Sequence, residues 1–371
     1  MLIPHVKGPV AEQAHVGVPD GLYEEEFARD GFYGRYAHLY RSQSPVGWTR
    51  IEGELRPRAY ELRKTPQLAE TYPQSRSTYL YNDDVSIQFA EIHKPMSSFF
   101  RNADGDDICF VHEGEGTLRS DFGPLEYKKG DYLVIPRGTV QQWLPRSKTL
   151  LLIVESFSEV RIPDRGPLGQ HAIFDPAVVK TPHPKEDRGD SPQSEYELII
   201  KRAGELTRVY YPFSPINTVG WKGTLCTWQI NVADIRPITC ERYHLPPSAH
   251  TTFIAKNFVI CSFLPRALET GDPKAVKVPF YHSNIDYDEV LFYHSGDFFS
   301  RAGIKEGMIT FHPQGIHHGP HPQAVEKSKN LQRTDEIAVM IDTKRPLLID
   351  NSAAKTEIKE YWQSWQVGHK A

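Results

Sequence analysis

The chain carries one turn-and-strand pattern twice, and that repeat restricts it to folds built from two copies of a small β unit. In the second half Gly296 stands seven residues after Glu289, and Gly307, Pro313, Gly315 and His318 follow in fixed steps. In the first half Gly114 stands seven after Asp107, and Gly130, Pro136, Gly138 and Gln141 repeat the same later steps. Between these punctuators lie Ile108-Cys109-Phe110-Val111 and Val290-Leu291-Phe292-Tyr293, while Val85 to Ile92 alternates at period two. Short apolar runs bounded by Gly and Pro read as strands entering turns. With 29 Pro, 26 Gly and 11% aromatic residues, the composition suits many short strands joined by tight turns, and an all-β chain is expected.

The two copies differ in chemistry. The second has His282 seven residues before Glu289 and a cluster of imidazoles at His312, His317 and His318. At the positions counted as equivalent to His282 and His318, the first copy has Phe100 and Gln141. Two imidazoles and one carboxylate on neighbouring antiparallel strands can occupy one face of a metal and leave positions open for substrate and dioxygen, as non-haem iron(II) oxygenases require. Metal chemistry is therefore expected in the second copy, and a structural role in the first.

The spacing His-x-Asn-x4-Glu-x6-Gly, then Gly-x5-Pro-x-Gly-x2-His, resembles the two-part motif of the cupin family. The resemblance implies a bicupin of two double-stranded β-helix (jelly-roll) barrels, with metal ligands His282, Glu289 and His318. Asn284 stands where many cupins have a further histidine, which leaves a three-ligand set. The expected organisation is an N-terminal arm and degenerate barrel over residues 1–160, a Pro-rich and charged linker over 161–195, and a metal-binding barrel over 196–371. A short amphipathic helix from Ile358 to Trp365 is expected to close the second barrel.

Further stretches narrow the resemblance. Pro163 to Gly169, Ser214-Pro215-Ile216-Asn217 with Trp221-Lys222-Gly223, Tyr281-His282-Ser283-Asn284, and His318-Gly319-Pro320 with Glu326-Lys327 are similar to the homogentisate 1,2-dioxygenase family. Asn102 to Asp106 and Ile135 to Gly138 fit the same pattern. That resemblance implies an Fe(II) extradiol-type dioxygenase that opens the ring of a dihydroxylated aromatic acid with O2, most naturally homogentisate to maleylacetoacetate in tyrosine and phenylalanine breakdown. Gentisate is a related alternative. It also implies His244 as the proton-handling catalytic residue, His312 and His318 as substrate-contacting residues, and assembly as a trimer or hexamer. Phe298 falls nine residues after Glu289, where the family has a tyrosine that binds the substrate carboxylate. Arg301, Lys305 or a loop is then expected to take over that carboxylate.

Other classes are excluded or set apart by composition. A net charge of −4 and the lack of a basic aromatic platform argue against nucleic acid. No run approaches membrane-spanning length, and the N-terminus lacks a signal-like apolar core, so a cytoplasmic protein is expected. Cys109, Cys226, Cys240 and Cys261 show no paired spacing and read as thiols. A cupin isomerase of sugar phosphates would call for a cationic phosphate pocket and a fuller ligand set. A non-catalytic bicupin binding protein would not need a complete triad in one copy alone.

Overall fold

The structure, a computed structural model, describes residues 5–66, 68–187, 189–298, 301, 303–321 and 330–367. It is all-β and bicupin, with two barrels back to back. One barrel is formed by a seven-stranded and a six-stranded sheet. The seven-stranded sheet runs, in spatial order, Trp228–Asn231, Asp131–Ile135, Asp106–Glu113, Thr149–Ser156, Val85–Ile92, Arg76–Tyr81 and Leu348–Ile349. The facing sheet runs Glu205–Tyr211, Tyr196–Arg202, Phe99–Asn102, Val140–Pro145, Glu115–Ser120 and Gly123–Lys128. The other barrel has a six-stranded sheet of Thr251–Ala255, Phe258–Phe263, Ile337–Thr343, Asp288–Ser295, Met308–His312 and Arg58–Glu61. Opposite it lie a three-stranded sheet of Tyr281–Asn284, Tyr23–Ala28 and Tyr36–Arg41, and the pair Arg266–Ala267 and Arg333–Thr334.

The repeated apolar runs are continuous because both faces of their strands are buried. Ile108 and Phe110 point into the core shared by the barrels, whereas Cys109 and Val111 fill the first barrel. Likewise Val290 and Phe292 join the shared core, whereas Leu291 and Tyr293 fill the second barrel. Across the shared core Phe110 meets Phe292 edge-on at 6.1 Å, and Tyr132 meets Phe253 at 5.1 Å. Each such buried side chain contributes about 1.5–3 kcal/mol. The repeated glycines have a steric cause. Gly114 and Gly296 both have positive φ, and a Cβ on either would come within 2.4 and 2.3 Å of the carbonyl oxygens of Lys148 and Asp335.

The pairing crosses the expected divisions at 160 and 195 in both directions. Tyr196–Arg202 runs parallel to Phe99–Asn102, and Trp228–Asn231 pairs with Asp131–Ile135, so both complete the first barrel. Conversely, Arg58–Glu61 pairs with Met308–His312 of the second. The physical reason is edge protection, since each barrel sheet would otherwise end on an unpaired strand. The N-terminal arm is also built in, with Tyr23–Ala28 parallel to Tyr281–Asn284 and Glu26 opposite His282. The expected C-terminal helix is a single short 3-10 turn, Tyr361–Trp365, preceded by a four-residue α-helix, Asn351–Ala354. Glu326 and Lys327 lie outside the described residues, as does the side chain of Asn284. The four cysteines are free thiols. Among the described residues no helix is long and apolar enough to cross a membrane.

Candidate metal centre and active site

Strand alternation puts Glu289 on the same face as Leu291 and Tyr293, inside the second barrel. His282 comes from the opposing three-stranded sheet, whose Tyr281–Asn284 strand is held by the N-terminal arm. His318 follows the Pro313 and Gly315 turn and is bridged by backbone to His282. The chain thus brings three ligand-type side chains from distant positions to one point. Nε2 of His282 and Nε2 of His318 lie 3.6 and 3.8 Å from Oε2 of Glu289. All three donor atoms fall within 4.8 Å of one another. Nδ1 of His282 is 3.0 Å from the carbonyl oxygen of Phe280, which can only accept. Nδ1 therefore carries the proton, and the lone pair is on Nε2, facing the carboxylate. The donor set fits a divalent transition metal with imidazole and carboxylate preference.

The other oxygen of Glu289 is held from behind. Oε1 lies 2.8 Å from Nδ1 of His312 and accepts from Nη2 of Arg301 at 3.2 Å. Arg301 also donates to the carbonyl of Gly319 at 2.7 Å, which ties the ligand-bearing loop to the same guanidinium. Nε2 of His312 is 3.1 Å from the hydroxyl of Tyr361. Burial pushes His312 below its ordinary value, aided by Arg301 and opposed by Glu289, so one proton serves two contacts. Nδ1–H then donates to Glu289 and the Tyr361 hydroxyl donates to Nε2. Burial lowers His318 to about 3, Glu289 opposing, so its imidazole is neutral and able to ligate.

A cleft opens on this cluster. Its wall includes His244, Phe263, Arg266, Phe280, His282 and Glu289, and Arg301, Glu336 and Met340 complete the far side. His244 is buried against the Phe280 ring at 4.5 Å, and its Nδ1 has no partner among the described residues. Burial, then Arg266 and His15, push its pKa well below the ordinary histidine value.

The residues expected from sequence divide into two groups. His244, His282, Glu289 and His318 are brought together. His312 stands behind Glu289 with both ring nitrogens engaged and does not line the cleft, so its place is that of a positioning residue rather than a substrate contact. Phe298 packs edge-on to Tyr293 at 4.9 Å and is also off the cleft wall. Of the residues considered for a carboxylate, Arg301 is already committed to Glu289 and Gly319. Lys305 does not line the cleft. Sequence reasoning missed Arg266, Glu336 and Tyr361. Arg266 had one available signal, a lone charge within the otherwise apolar run from Phe258 to Leu268.

In the first barrel the corresponding place is filled by the protein's own cation. Nη2 of Arg76 lies 3.0 Å from Asp107 and 3.4 Å from Glu155, and Arg76 donates to Gln88 at 2.6 Å. Its guanidinium stacks 6.0 Å from the Phe100 ring, at the position equivalent to His282. Glu155 lies across the strand pair from Asp107 as Asp342 lies across from Glu289, which confirms the repeat in three dimensions. A further group, His15, Glu24 and His38, sits in the N-terminal arm. There His15 is wedged between Glu24 at 2.8 Å and Glu26 at 3.1 Å, and these raise its pKa to about 9 against the opposing effect of burial. The imidazolium itself is the cation of that cluster.

The family described as "Homogentisate 1,2-dioxygenase N-terminal" matches residues 74–232. A Saccharolobus solfataricus protein named "Putative dioxygenase" is 35% identical over 389 residues, covering 98% of this chain and 99% of the relative. A homogentisate 1,2-dioxygenase of Bradyrhizobium diazoefficiens is 25% identical, over 81% of this chain and 71% of that protein. One from Nitrobacter hamburgensis is 26% identical, over 73% and 63%. Among solved structures, a cupin 2 conserved barrel domain protein from Leptotrichia buccalis aligns with a TM-score of 0.35 at 10% identity, over 77% of this chain and 96% of that one. On the match at 35% identity along nearly the whole of both chains, the chain belongs to the same family as the Saccharolobus solfataricus dioxygenase and is itself a dioxygenase.

Proposed function

We propose that the protein is an iron(II)-dependent dioxygenase that opens the ring of a dihydroxylated aromatic acid, with homogentisate as the first substrate to test and gentisate as the second. The observation that carries this reading is the convergence of Nε2 of His282, Nε2 of His318 and Oε2 of Glu289 to within 4.8 Å of one another, with His282 and Glu289 on the wall of a cleft that also holds His244. When bound, iron(II) supplies the dioxygen chemistry, for which two imidazoles and a carboxylate with open positions are suited. The chain supplies position and proton handling. Arg301 and His312 fix the carboxylate of Glu289, so that its other oxygen faces the two imidazoles. His244, kept neutral by burial, takes the proton of the ring hydroxyl at Nδ1, the nitrogen with no hydrogen-bond partner among the described residues. Phe263, Phe280, Leu291 and Met340 exclude water from the ring and present apolar surface to it.

The same reading includes cytoplasmic residence and a homo-oligomer, trimer or hexamer, for which the family resemblance is the support. Light scattering that returns a monomer at working concentration counts against the assembly. The function is tested by oxygen uptake of the iron-loaded, reduced protein with homogentisate and gentisate. Consumption of O2 with loss of the aromatic absorbance is expected. No uptake with any hydroquinone or catechol acid rejects ring cleavage, and leaves the isomerase and the binding protein as the classes to pursue.

A further inference from the structure

We propose that Arg266 is the anchor for the carboxylate of the substrate, on the cleft wall shared with His244, His282 and Glu289; the proposal rests on the ring-cleaving reading of this site. Arg266 follows the strand Phe258–Phe263 and begins the two-residue strand paired with Arg333–Thr334. Its backbone N–H donates to the Thr334 hydroxyl at 3.3 Å, which fixes where the side chain starts. The residue is only 5% exposed, and its guanidinium lies 5.6 Å from the ring of Phe263, itself on the cleft wall.

A buried guanidinium without a counter-charge is costly, and elsewhere this protein avoids the situation. Arg58 meets Glu357 at 2.6 Å, Arg119 meets Asp190 at 2.6 Å, Arg76 meets Asp107 at 3.0 Å and Arg301 meets Glu289 at 3.2 Å. Among the described residues Arg266 has no carboxylate within ion-pair distance, and its buried Nη1 has no hydrogen-bond partner. Burial pushes its pKa down, opposed by Glu336 and Glu269, which are close enough to be felt but make no ion pair with it. One of those two is already in use, since Oε2 of Glu269 accepts from the backbone N–H of Val278 at 3.2 Å. The arrangement is a planar fork of donors held ready on an otherwise apolar wall, and a carboxylate is the anion whose two oxygens match it. Glu336 lines the same cleft, and burial, opposed by Arg266 and Arg301, raises its pKa to about 7, so that near neutral pH it can stand protonated beside such an anion.

Affinity for paired probes tests this in the full-length, iron-loaded protein under anaerobic conditions. The probes are homogentisate and 2-methylhydroquinone, which keeps the ring and hydroxyls and lacks the carboxylate. Arg266→Gln is expected to weaken homogentisate by about 10- to 100-fold, the worth of hydrogen bonds to a charged group, and 2-methylhydroquinone by less than about threefold. Equal weakening of both probes overturns the proposal. If Arg266→Gln does not fold, Glu336→Gln decides at pH 8.5, above the raised pKa of about 7: loss of the opposing charge should tighten homogentisate and leave 2-methylhydroquinone unchanged, and no change in either overturns the proposal. Titration with phenylacetate, which needs no turnover, separates this question from the reaction. A protein that consumes no oxygen yet binds phenylacetate through Arg266 loses the ring-cleaving reading and keeps the anion site.

Discussion

Replacing His312 by Phe probes how much of the metal centre resides in residues that never touch the metal. The side chain lies 2.8 Å from Oε1 of Glu289, and only the 3.2 Å contact from Arg301 remains on that oxygen once it is gone. A hydrogen bond to a charged group is worth about 1.5–3 kcal/mol, which corresponds to about 10- to 150-fold in an equilibrium constant. This falls in the range of about 10- to 100-fold expected when a partner of a metal ligand is removed. His312→Phe should therefore weaken metal affinity by one to two orders of magnitude, while its ring fills most of the imidazole's space. Tyr361→Phe removes the donor to Nε2 but leaves the contact to Glu289, so its effect on metal should be less than about fivefold. The double variant should fall short of the sum, because Tyr361 acts on Glu289 only through His312. Competition against a fluorescent chelator at neutral pH gives all three affinities. A His312→Phe protein within threefold of the parent, or a Tyr361→Phe protein as weak as His312→Phe, would refute the reasoning.

Four further outcomes follow from the same contacts. Plasma emission spectrometry should find one iron per chain, lost in His318→Ala, and a value of two would mean that the first barrel also binds. His244→Ala should keep its iron and lose about 10²- to 10⁴-fold in kcat, and full turnover would remove His244 from the reaction. Arg76→Met leaves Asp107 buried without its ion pair in the first barrel, while Glu155 keeps Lys201, and should cost about 3–5 kcal/mol in denaturant unfolding, with partial recovery on adding Asp107→Asn. His15, raised in the fold from 6.5 to about 9, stabilises the arm by about 3 kcal/mol at pH values below 6.5. That contribution is lost as pH rises through 9, so hydrogen exchange at Tyr23–Ala28, corrected for intrinsic rate, should accelerate between pH 7 and 10 and stay flat in a His15→Gln protein.

The convergence of His282, Glu289 and His318 was legible because a ligand set needs fixed residue types at fixed steps, and these three obey them. Phe100 and Gln141, which stand at those steps in the first barrel, were equally legible, yet the arginine that pairs with Asp107 was not. Arg76 lies 31 residues before Asp107 and belongs to no local pattern. His312 kept the position that the resemblance gave it but not the role, since a six-residue step does not say whether a ring faces the cleft or the back of a carboxylate. The barrel boundaries escaped because strand exchange is decided by which edges need covering. Alternation within Tyr196–Arg202 is the same whichever sheet receives it. Arg266 illustrates a different limit, because an arginine reads as exposed until the fold shows that nothing answers its charge.

The exchanged edge strands also set an order for synthesis on the ribosome. Arg58–Glu61 emerges early, but its hydrogen-bonding partner, Met308–His312, is made some 250 residues later. The first barrel must wait for Trp228–Asn231 before its large sheet is covered on one side, and for Leu348–Ile349 on the other. Neither barrel can therefore finish while the chain is still being extended, and contacts this distant in sequence make closure slow. The nascent N-terminal half therefore has an open sheet edge and an apolar face through most of translation. Expression of either half alone should give aggregates, whereas co-expressed halves cut in the exposed 191–195 segment have all the strands required to complete each other.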